Sequence, residues 1–231
     1  MSSSRSEILG RIREALQDVP ASEKPTDVAV IRDYRRENDA SHEEMLERFI
    51  ERVSDYKVLV RRVSEQTLPE AIAAACTARG VRRLVVPTDL PQGWSPAGLE
   101  LLCDEPPLSN RQLDQSDGVL TGCALGIAQT GTIVLDGGSG QGRRALSLLP
   151  DYHLCVIFEA QIVDLVPEAI TRLTDAVRLH GQPITFISGP SATSDIELNR
   201  VEGVHGPRTL DVLVVDSSRL NPSRRSTIEH R

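Results

Sequence analysis

The 231 residues carry 33 acidic against 26 basic side chains, for a net charge of −7; that balance argues against a nucleic-acid coat, which needs clustered lysine and arginine. Aromatic residues make up 3% of the chain and Trp94 is its sole tryptophan, too few for a platform that stacks bases or sugar rings. The length suffices to bury a core without disulfides or metals.

Cys76, Cys103, Cys123 and Cys155 are scattered, with no CxxC pair and no His/Cys cluster at metal spacing. They read as small core residues of a reducing compartment, and no metal or iron–sulfur site is expected. No apolar run approaches membrane-spanning length, so a cytoplasmic protein without a membrane span is expected.

At the start, Ile8, Leu9, Ile12, Ala15 and Leu16 recur at helical spacing behind Ser4 or Ser6 as a cap. A second helix is predicted from Ser41, with Ser41 and Glu44 as a capping box and Met45, Leu46, Phe49, Ile50 and Val53 on one side. These two helices could detach from the main body or clasp a partner. Residues 1–40 are assigned to an N-terminal helical arm and linker, 41–217 to an α/β domain and 218–231 to a polar tail.

From Lys57 strands and helices alternate. "KVLVRRV" and "VRRLVVP" read as strands around the helix "TLPEAIAAACTARG", an order typical of βαβ units and a mainly parallel sheet. "GVLTGCALGIAQTGTIVLDGG" offers short strands separated by glycine, read as a hairpin or meander inserted in that sheet. "YHLCVIFE", "PITFISGP" and "TLDVLVVD" read as buried strands, with the helix "VPEAITRLTDAVRLHG" between the first two.

Two loops follow apolar strands, where open α/β sheets bind ligands. In "LDGGSGQGRRA", Gly138, Gly140 and Gly142 let backbone amides approach an anion, and Arg143 and Arg144 could fork onto a carboxylate or phosphate. The spacing is neither a P-loop nor a dinucleotide fingerprint. A flexible surface turn is the plainer alternative. In "SGPSATSDIE", Ser188, Gly189 and Ser191 precede a short helix capped by Thr193 or Ser194 with Glu197, whose amino end suits an anion. His205, Asp195 and Glu202 are candidates for moving a proton, without a spacing that selects one.

Taken together, "GVLTGCALGIAQTGTIVLDGG", "GRRALSLLPDYHLCVIFEAQIV", "FISGPSATSDIE" and "GVHGPRTLDVLVVD" resemble the lactate-utilisation (LUD) domain family, and more closely its LutC/YkgG branch. The likeness runs over residues 41–217, and "SRSEILGRIREAL" is also similar to that branch. It implies a Rossmann-like sheet with flanking helices and a β-rich insertion, as in the NagB/RpiA/CoA-transferase group. It further implies a role in oxidising L-lactate to pyruvate beside two iron–sulfur proteins, which hold the clusters while this chain binds a small anion or organises its partners. Thr130 and Gly131 join the expected ligand site through this resemblance. Family members usually place Glu before the Thr-Gly or Ser-Gly pair, whereas here Gln129 precedes Thr130 and Gly131; a glutamine supplies no carboxylate base or acyl acceptor. A free-standing enzyme of the sugar-phosphate isomerase or CoA-transferase kind is the alternative.

Overall fold

Ser41 turns the chain into a helix because its hydroxyl accepts the Glu44 amide while the Glu44 carboxylate accepts the Ser41 amide. The computed structural model describes residues 4–20, 22, 24, 31–190, 192–193, 201–202 and 206–216. Two compact units divide the chain, Met1–Arg35 and Arg36–Arg231. The first contains helix α1 (Ser4–Ala15), which places Ser6 inside the helix and not at its cap.

In the second unit, α2 (His42–Asp55) buries Leu46, Phe49 and Val53 in the main core. This corrects the expectation that the second helix could detach. After it come β1 (Leu59–Ser64), α3 (Leu68–Ala78), β2 (Arg83–Val86), β3 (Glu100–Cys103), α4 (Asn110–Asp114), β4 (Gly118–Thr121), β5 (Leu125–Ile127) and β6 (Thr132–Leu135). The rest is β7 (Tyr152–Phe158), β8 (Ile162–Val163), α5 (Val166–His180), β9 (Thr185–Ile187), β10 (Ala192–Thr193), β11 (Val201–Glu202) and β12 (Thr209–Asp216).

Six strands form a central sheet in the order β1-β12-β7-β4-β2-β3, parallel at every pairing. Burial on both faces explains why β7 and β12 read as nearly unbroken apolar runs. On one face Leu120, Leu154, Val156 and Leu213 pack against α3 through Leu68, Ile72 and Cys76. On the other, Cys155, Ile157, Val212 and Val214 meet α2 and the inward residues Ile133 and Leu135 of β6.

A second sheet runs β8-β5-β6-β9. Its strands alternate: Ile133 and Leu135 face the central sheet, whereas Val134 packs with Leu125, Ile127 and, from α5, Ala169 and Leu173. The middle of the chain therefore is not one inserted meander. Residues 118–121 supply an interior parallel strand of the central sheet, and only the β5–β6 hairpin begins the second sheet. Residues 185–187, expected to be a buried strand, form the edge of that second sheet, where Phe186 is 48% exposed. Thr193 stands in β10, paired with β11, and not at a helix cap; Ser194 and Glu197 lie outside the described residues.

Candidate functional site

The glycine loop that follows β6 crosses the carboxyl ends of β2 and β4, where Gly140 accepts the Gly122 amide at 2.7 Å. Gly137, Gly140 and Gly142 all have positive φ, a conformation glycine adopts without steric cost. The Gly138 and Gly140 amides, however, are already used. Asp136 accepts the Gly138 amide at 2.9 Å and the Gln141 side-chain amide at 2.7 Å, and Asp89 accepts the Gly140 amide at 2.8 Å. Two of the chain's own carboxylates, Asp136 and Asp89, thus accept the Gly138 and Gly140 amides that were expected to face an anion.

Arg143 is equally engaged. Its guanidinium donates to both oxygens of Asp104, at 2.7 and 3.0 Å, and to the Leu108 carbonyl at 2.6 Å. Burial alone would raise the Asp104 pKa, but the Arg143 and Leu108 donors outweigh it and hold the carboxyl below its ordinary value. The expected pair of arginines is therefore reduced to Arg144. It donates to the Ser147 hydroxyl at 3.1 Å, and among the described residues it has no carboxylate partner.

Arg144 stands on the wall of a cleft of about 260 Å³ with Ser147, His153, Ser188, Gly189 and Leu210. The cleft lies beside β9, at the amino-terminal ends of β7 and β12, where His153 pairs with Leu210. This is the opposite edge from the one expected to hold a ligand. His153 is 1% exposed, and its Nε2 is 2.8 Å from the Thr121 hydroxyl. Burial, with the nearby Arg144 charge second, pushes the imidazole pKa down to about 4, so the ring is neutral at physiological pH.

A chain of hydroxyls reaches the same wall. Thr130 and Thr132 are 2.7 Å apart, and Thr132 and Ser188 2.8 Å apart. Two glycines beside it have a packing reason. A Cβ on Gly131 would fall 2.6 Å from the Arg52 carbonyl carbon, and one on Gly189 2.6 Å from the Tyr56 Cβ. The end of α2 thus fills the space that side chains at these positions would need.

The LUD domain family model matches residues 107–215. The chain is 53% identical over 175 residues, 76% of its length and 81% of the relative's, to a lactate utilization protein C of Deinococcus radiodurans. It is 38% identical to another of that name from Halalkalibacterium halodurans, over 45% of this chain and 46% of that one. A crystal structure of a DUF162 family protein from Deinococcus radiodurans superposes with a TM-score of 0.68 at 46% identity, covering 76% of this chain and 99% of that one. The chain belongs to the LUD domain family.

Within this LUD chain, Thr130, Gly131, Arg144, Ser188 and Gly189 come together around the cleft and its hydroxyl chain. Gly138, Gly140 and Arg143 are bonded to Asp136, Asp89 and Asp104, away from that cleft, and Gly142 lies beside Leu146 and Pro87. Ser191, Asp195 and His205 lie outside the described residues, and of Glu202 only its place in β11 is described. Gln129 sits exposed in the turn from β5 to β6, its amide bonded to the Asp164 carbonyl at 2.9 Å. Sequence reasoning missed His153, Thr121 and Ser147. The available signal was a lone imidazole in the otherwise apolar run "YHLCVIFE".

Proposed function

We propose that the chain serves lactate utilisation as the subunit that binds a small anion or organises its partners, beside two iron–sulfur proteins that carry the electrons. The observation that carries this reading is the 53% identity to a lactate utilization protein C across 76% of the chain. The cleft beside Arg144 supports the anion-binding part, because a guanidinium without a carboxylate partner among the described residues adjoins a neutral, buried imidazole. Electron transfer is assigned to the partners because the four cysteines are dispersed, and the described residues hold no group of three or more candidate metal ligands. No helix among the described residues is long and apolar enough to cross a membrane, and a cytoplasmic location is part of the proposal.

The test is reconstitution of L-lactate oxidation from the purified iron–sulfur partners with and without this chain. Loss of pyruvate formation on omission is the expected result. Full activity without the chain overturns the assignment.

A further inference from the structure

His153 is almost wholly buried, yet among the described residues only Nε2 has a partner, the Thr121 hydroxyl. Among the described residues no fully buried side-chain nitrogen or oxygen lacks a hydrogen bond. The unbonded Nδ1 is therefore the ring atom that reaches open space. Since His153 lines the cleft, that atom faces into it as a polar group able to take a partner.

Arg144 is the one cation among the described residues of the wall. A single guanidinium matches one carboxylate through two parallel N–H donors, whereas a phosphate dianion calls for more positive charge. Leu210, Ile187 and Pro207 supply apolar wall. The cleft thus offers a carboxylate anchor, a neutral nitrogen and an apolar surface, a combination suited to a small acid with a second oxygen near its carboxylate.

We propose that this cleft binds a short 2-hydroxy- or 2-oxo-monocarboxylate, with Arg144 on the carboxylate, Nδ1 of His153 on the 2-oxygen and Leu210, Ile187 and Pro207 around the carbon chain. A threonine hydroxyl both donates and accepts. Thr121 can therefore hold the neutral imidazole in either tautomer: Nδ1 presents a lone pair to a 2-hydroxyl or an N–H to a 2-oxo oxygen. One pocket then accommodates both members of an alcohol–ketone pair without a change of charge. The choice of the shortest such acids, L-lactate and pyruvate, rests on the lactate-utilisation reading above; the carboxylate and the 2-oxygen follow from the cleft.

The experiment is calorimetric titration of the full-length chain with L-lactate, pyruvate, propionate and inorganic phosphate. Lactate and pyruvate are expected to bind at one site. Propionate, which keeps the charge and lacks the 2-oxygen, is expected to bind about tenfold more weakly or worse, and phosphate weakest of all. Arg144→Met should lower affinity for both acids by about tenfold or more, with Arg144→Lys between it and wild type. A thermal melt of each variant separates lost binding from lost folding. Propionate binding as tightly as lactate, phosphate outcompeting pyruvate, or a folded Arg144→Met chain with unchanged affinity overturns the assignment. If no acid binds while omission of the chain still stops lactate oxidation, the ligand assignment fails and the system role stands. If the acids bind and omission changes nothing, the role fails and the ligand assignment stands.

Discussion

The Thr121 hydroxyl on β4 and Nε2 of His153 on β7 are 2.8 Å apart on neighbouring parallel strands, although the residue opposite His153 in the register is Val119. The contact is diagonal, on the face that turns toward the second sheet. It fixes the imidazole ring and directs its other nitrogen to the cleft. Thr121→Val keeps the shape and removes the hydroxyl, leaving Nε2 buried without its partner, and should cost about 1–3 kcal/mol in urea unfolding. Thr121→Ser should restore most of the loss. Equal stability of the valine variant and wild type would mean that this contact contributes nothing.

His153 makes stability depend on pH. Its pKa is about 4 in the folded chain against an ordinary 6.5, so between these values the unfolded state binds the extra proton. The stabilisation is fully present above pH 6.5 and is lost as pH falls toward 4, by about 3 kcal/mol in all. The groups responsible are the apolar surroundings first and Arg144 second. Denaturant melts from pH 7.5 to 4.5 should show this slope in the wild type and a shallower one in His153→Gln.

The Arg143–Asp104 pair ties the segment after the glycine loop to the turn after β3. Arg143→Ala should destabilise the chain by about 1 kcal/mol, the guanidinium being partly solvated. Asp104 has a lowered folded pKa, so its stabilisation is present above its unfolded pKa and is lost as pH falls through the folded value. The gap between variant and wild type should accordingly be widest near neutral pH and close in acid. Binding of carboxylates at the cleft should be unchanged, as titration of the variant would show.

Glycine substitutions should separate packing from backbone strain. Gly131 has φ +60°, and its Cβ would strike the α2 backbone at Arg52. Gly131→Ala therefore adds a steric clash to the left-handed penalty and should cost more than about 3 kcal/mol. Gly137 has φ +71° with open space around it, and Gly137→Ala should cost only about 1–2 kcal/mol. Thermal melts ranking the two the other way would contradict the close approach of α2.

Cys103 is exposed, while Cys76, Cys123 and Cys155 are buried. Burial and the Asp211 charge push the Cys76 thiol up to about 11, and contact with Cys155 together with burial raises that of Cys123. Iodoacetamide at pH 8 should label Cys103 first and leave the others until the chain unfolds. Peptide mapping after a short pulse reads this directly; early labelling of Cys123 would disprove the packing described.

Local chemistry was legible from the chain alone. The Ser41–Glu44 box, the α5 stop at left-handed Gly181 and the apolar runs of β7 and β12 depend on residues close in sequence. The family was legible as well, from four motifs in order. The fate of the glycine loop was not, since the carboxylate that caps Gly140 belongs to Asp89, 51 positions earlier. Nor was the role of Arg143, whose partner Asp104 lies 39 positions away.

Composition and periodicity by themselves determined an α/β chain with buried parallel strands and dispersed thiols, because burial on both sheet faces and helical spacing leave direct marks on residue order. Tertiary structure alone decided which of two adjacent arginines is tied to Asp104, and that a histidine hidden in an apolar strand borders a cleft. Both outcomes depend on pairing between distant segments, where sheet order and register, and not sequence proximity, select each group's partner.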